Sequence, residues 1–65
     1  MKFVKFKDMC GEHCIKAECI EEVNWHKSTR LYMSTKIGEK VYYYETEKEA
    51  KQTYHEIMRE LDNDT

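Results

Sequence analysis

Proline is absent from this chain of 65 residues, and glycine occurs only at Gly11 and Gly38. No flexible or proline-stiffened linker therefore divides it, and a single domain spanning residues 1–65 is expected. The opening MKFVKFKDMCGEHC starts basic but lacks the run of about 7 to 15 apolar residues that a signal peptide needs, and the ~20 of a membrane helix. This predicts a cytoplasmic protein with no membrane partner. Neither sign of charge dominates: 11 Lys and Arg stand against 13 Asp and Glu, a net charge of −2. That balance argues against a generic nucleic-acid binder. Three cysteines, an odd number, fit reduced thiols better than a disulfide framework. No catalytic or cofactor motif of known geometry occurs, so neither enzymatic activity nor a bound cofactor is expected.

What is present is enough apolar material for a small core. Hydrophobic residues make up 40% of the chain and aromatic ones 12%, a globular composition. A chain this short buries only about 60% of the surface its unfolded form exposes, so its stability rests on few contacts. The clearest signal lies in Lys40 to Leu61, where the apolar period changes from two to 3.6 and a strand gives way to a helix. Thr46 followed by Glu49 has the spacing of a capping box and starts the helix near Glu47. Ala50, Tyr54, Ile57, Met58 and Leu61 then form one apolar stripe, and the helix gives out into an acidic tail over 62–65.

Upstream, alternation predicts strands at Phe3–Lys7, His13–Lys16, Ile20–Trp25, Arg30–Thr35 and Val41–Glu45, with turns at Asp8–Glu12, His26–Thr29 and Lys36–Lys40. The fold class expected is α+β: an antiparallel meander of about four to five short strands, then one C-terminal amphipathic helix. Val4, Phe6, Ile15, Val23, Trp25, Leu31, Met33, Val41 and Tyr43 are expected to face the helix. Cys19 and Ile20 fall out of step with that count, which predicts a bend or bulge near Ala17–Ile20.

One helix covers one face of a sheet, so the other face is the first candidate for function. It is expected to carry Phe3, Lys5, Lys7, Arg30, Tyr32, Tyr42 and Tyr44, an aromatic surface edged with positive charge. Such a surface suits a protein partner or a homodimer seam. Nucleotide or nucleic-acid stacking is the alternative use of the same rings, and strand packing alone also favours tyrosine. A second candidate is the acidic helix edge of Glu49, Glu56, Glu60 and Asp62, against the reading of a merely solvated face. Cys10, His13, Cys14 and Cys19 offer soft ligands around a turn, with His26 further on. Their spacing fits no familiar zinc pattern, and His13 and Cys14 are strand neighbours pointing to opposite faces, so no metal is expected.

The order MKFVKF, the turn at Gly11, Cys19-Ile20-Glu21-Glu22-Val23, Thr29 to Thr35, Gly38-Glu39-Lys40, Val41 to Glu45, Thr46 and a closing helix resembles the small FlbD-type proteins associated with bacterial flagella and swarming. That resemblance implies a compact sheet-plus-helix fold and a motility-related regulatory role without catalysis, and it transfers no active-site residues. The CGEHC turn, the longer turn at Lys36–Lys40 and the acidic tail depart from it. The strand order is also similar to LytTR-type DNA-binding domains, without their excess of basic residues. In style, the chain resembles small bacteriophage early proteins that bind and redirect host factors. The reading that follows is a non-enzymatic interaction module that modulates a larger host or regulatory protein as an inhibitor or adaptor.

Overall fold

Side chains alternate across an extended strand, so apolar residues on one side can bury that face, and the chain ahead of the helix forms five strands. The computed structural model, which describes residues 2–62, runs β1 (Phe3–Asp8), β2 (Gly11–Lys16), a single 3-10 turn (Ala17–Cys19), β3 (Ile20–Trp25), β4 (Arg30–Thr35), β5 (Gly38–Tyr43) and α1 (Glu47–Asp62). The expected α+β meander with one closing helix is what forms. It is divided into two antiparallel sheets, β1-β2 and β3-β4-β5. The anticipated irregularity near Ala17–Ile20 is the 3-10 turn, followed by a register shift between Ile20 and Glu22. Asp62 belongs to α1 rather than to a tail, and residues 63–65 of that tail lie outside the described residues.

The sheets meet where β1 ends. There Met9 N–H donates to the Tyr43 carbonyl at 3.0 Å; at the open end of the first hairpin, Ala17 N–H donates to the Lys2 carbonyl at 2.9 Å and extends the β1–β2 pairing. Helix α1 packs on β1, β3 and β4. Val4, Leu31, Met33, Ala50 and Ile57 form the centre of the core, and Tyr54, Met58 and Leu61 pack at its margin. Trp25 is half-buried beside them, its indole N–H donating to the Ser28 carbonyl at 2.8 Å. At the helix start, the Glu49 N–H donates to Thr46 Oγ1 at 3.2 Å, the first half of a capping box. The Glu49 carboxylate accepts the Thr46 hydroxyl proton at 3.2 Å instead of reaching the backbone N–H of residue 46. Lys2 Nζ donates to the Glu60 carbonyl, which satisfies a helix-end acceptor.

The expected facing of β5 is corrected. Tyr42 is 4% and Tyr44 7% exposed, whereas Val41 is 38% and Tyr43 47% exposed. The cause is turn length. A turn of Lys36–Lys40 would set Thr35 opposite Val41 and keep odd residues opposite odd ones. The actual turn is the pair Lys36–Ile37, with Thr35 opposite Gly38, Leu31 opposite Tyr42 and Met33 opposite Lys40. Directly opposed residues share a face, so β5 turns its even positions inward. Tyr42 and Tyr44 are core residues, not partner-facing ones.

Candidate binding surfaces

The register that buries Tyr42 creates a different outer surface. Arg30 lies directly opposite Tyr43 and Tyr32 directly opposite Val41, all four turned away from α1. The Arg30 guanidinium sits over the Tyr43 ring, 5.8 Å from its centroid, and the His26 ring lies 5.9 Å from Tyr32. Met9, 63% exposed, adjoins Tyr43 through the backbone bond between the sheets. Of the seven residues anticipated on this surface, Arg30 and Tyr32 occupy it. Phe3, Lys5 and Lys7 are exposed on the other sheet, and Tyr42 and Tyr44 are buried. Val41 and Tyr43 are members that sequence reasoning placed in the core.

A second surface lies between the β1–β2 turn and α1. Glu49, Gln52, Thr53 and Glu56 follow the i, i+3, i+4, i+7 spacing and form a polar stripe beside the apolar one. With Tyr44 and Glu45 they wall a groove of about 380 Å³ whose far side is Lys7, Asp8 and Met9. Of the acidic edge expected from sequence, Glu49 and Glu56 line this groove; Glu60 and Asp62 lie on α1 beyond it. A neighbouring groove of about 460 Å³ shares Lys7 and Glu56 and reaches the Phe6 and His13 rings.

Asp8 lies between the grooves and the core and was read from sequence only as a turn residue. It is 8% exposed. Its Oδ1 accepts from the Cys10 N–H at 3.0 Å and contacts His13 Nε2 at 2.8 Å, and its Oδ2 accepts from the Tyr43 N–H at 3.3 Å. Burial works to raise the Asp8 carboxyl, but the His13 side chain and the Tyr43 and Cys10 N–H groups outweigh it and hold the group below its ordinary 3.8. The His13 and Phe6 rings lie 4.7 Å from Tyr42. Burial, seconded by the Asp8 charge, pushes the Tyr42 phenol above its ordinary 10.0. The spacing Asp8-Met9-Cys10-Gly11 is the signal that would have found this hub, because an aspartate side chain commonly bonds the N–H two residues on.

The cysteines do not gather. Cys10 and Cys14 are exposed and Cys19 is half-buried. His13 shares the inner face with Phe6, while Cys14 is opposite Lys5 on the outer face. Among the described residues, no three His, Cys, Asp or Glu side chains are placed to hold a metal ion, and no helix is long and apolar enough to cross a membrane. The class defined by these features is a small α+β domain with one open sheet face and one acidic groove. No family model, curated protein or solved structure matches the chain.

Proposed function

We propose that this chain is a non-enzymatic interaction module of the cytoplasm that docks on a larger protein and modulates it sterically, through the outer face of β3–β5. The observation that carries this reading is the pair of opposed contacts Arg30–Tyr43 and Tyr32–Val41 on the face that α1 leaves open. Flat amphipathic rings beside an arginine supply contact area at low entropic cost and are enriched where proteins meet. The nucleotide-stacking alternative has less to stand on, since the burial of Tyr42 and Tyr44 removes two of the rings counted on as its platform. The role in motility that the FlbD-type resemblance implies is a particular case of the same module.

Site-specific photo-crosslinking in the native cell tests it. A photoreactive residue at position 32 is expected to trap one discrete adduct that Arg30→Glu abolishes, and the same residue at exposed Lys51 is expected to trap none. An adduct of twice the 7.9 kDa chain identifies the occupant as a second copy. Identical adduct patterns from positions 32 and 51 overturn the assignment of this face.

A further inference from the structure

Three unlike features converge between the β1–β2 turn and the first turns of α1. The first is charge. Glu45, Glu49 and Glu56 face a groove in which Lys7 is the one lining cation among the described residues, and the Asp8 carboxylate beneath is already occupied by His13, Cys10 and Tyr43. The second is spacing. Glu49 belongs to the first turn of the helix, where a carboxylate complements the dipole. That does not account for Glu56, about 10 Å further along the axis.

The third feature is an unpartnered donor-acceptor. Tyr44 lines the groove and is 7% exposed, yet its hydroxyl makes no hydrogen bond. A buried phenol nearly always finds a partner. The hydroxyl lies among groove residues: Thr53 is close enough to work against the rise, though not at the distance and angle of a made hydrogen bond, while the charges of Asp8 and Glu56 add to it. With burial the largest cause, this setting keeps the phenol above its ordinary 10.0 and therefore protonated.

We propose that this groove seats an arginine side chain presented by a protein partner. Glu49 and Glu56 accept guanidinium N–H donors, the Tyr44 oxygen accepts a further one, and the neighbouring Phe6–His13 groove takes the next residue of the same segment. Carboxylates spread over two helical turns suit a side chain with five donors in a fixed fork better than a point cation. The surface is distinct from the outer sheet face, so this proposal stands or falls by itself.

Amide-resolved NMR titration of the full chain tests it, with acetyl-hexa-arginine amide as the probe. Shifts are expected at Tyr44, Glu45, Glu49, Gln52, Thr53 and Glu56, without shifts at Tyr32 or Val41. Glu49→Gln with Glu56→Gln is expected to weaken binding at least about tenfold. Glu21→Gln with Glu22→Gln, which removes the same charge from exposed positions on β3, should leave it unchanged. Tyr44→Phe keeps the ring in the core and is expected to weaken hexa-arginine while leaving hexa-lysine alone. Equal weakening by both glutamine pairs would reduce the effect to general charge attraction and overturn the proposal. Equal affinity for hexa-lysine, or no saturable binding at low salt, would do the same. If the Glu49/Glu56 variant fails to fold, the wild-type shift map and the Tyr44→Phe comparison decide.

Discussion

The two tight hairpins use one local device for different ends. In each, a strand ends in a side chain with an oxygen, two turn residues follow, and the next strand begins with a glycine at positive φ. These are Asp8 with Gly11 (φ 133°) and Thr35 with Gly38 (φ 136°). Each oxygen accepts the N–H two residues on, Cys10 to Asp8 at 3.0 Å and Ile37 to Thr35 at 3.3 Å. The Thr35 hydroxyl then donates to the Gly38 carbonyl at 2.7 Å, so its bonding closes inside its own turn. The Asp8 carboxylate has acceptor capacity left over. It reaches His13 across its own hairpin and Tyr43 in the other sheet. A hydroxyl closes a turn, whereas a buried carboxylate also joins two sheets.

The second hairpin governs facing, and the largest effect should come from testing that. Tyr42→Glu buries a charge beside Asp8 and is expected to abolish cooperative folding by circular dichroism, a cost of several kcal/mol. Tyr43→Glu, one residue along on the open face, is expected to leave the fold intact within about 0.5 kcal/mol. Equal tolerance of the two would mean that β5 is not held in the two-residue-turn register.

Breaking the joining carboxylate comes next. Asp8→Ala strands the Tyr43 and Cys10 N–H groups and His13, and should cost about 3 kcal/mol in chemical denaturation, a large share of so small a domain's stability. Thr35→Ala, which severs the local pair alone, should cost about 1 kcal/mol. The acid limb sharpens the contrast. Because the folded Asp8 carboxyl titrates below 3.8, its contribution is complete above that value and is lost as pH falls from there through the lower folded value. Asp8→Asn should flatten this part of the stability profile, while Thr35→Ala leaves its shape unchanged.

The smallest difference is expected where the hairpins are most alike. Beyond the glycine and its chain neighbours, no atom lies within 4 Å of a Cβ built at Gly11 or Gly38, so Gly11→Ala and Gly38→Ala should each cost about 1 to 3 kcal/mol from backbone strain alone. Matched melting shifts would support the shared geometry, and a much larger loss at Gly11 would show that the first turn also holds the intersheet contact.

Local signals carried much of the architecture. The 3.6-residue spacing of Ala50, Tyr54, Ile57, Met58 and Leu61 and the Thr46–Glu49 cap define α1 without reference to any neighbour, and the misfit at Cys19 and Ile20 marks the 3-10 turn. Glu49 and Glu56 were recognisable as an acidic edge, but the groove they share with Glu45 and Tyr44 was not, because its other wall comes from the β1–β2 turn. Trp25 also illustrates the gradation: its place against the core was legible, its bond to the Ser28 carbonyl was not.

The sequence by itself determined the order of five strands and one closing helix and which stripe of the helix is apolar, because those depend on side-chain period and on contacts three or four residues apart; the start of β2 at Gly11 and of β5 at Gly38 came only with the turns. Only the tertiary structure decided which tyrosines are buried, and that Asp8 binds a strand 35 positions away. Val41-Tyr42-Tyr43-Tyr44 is apolar or aromatic on both faces, so its pattern leaves the facing open. One residue more or less in a turn reverses it, and the choice falls to the register that Thr35 and Gly38 close.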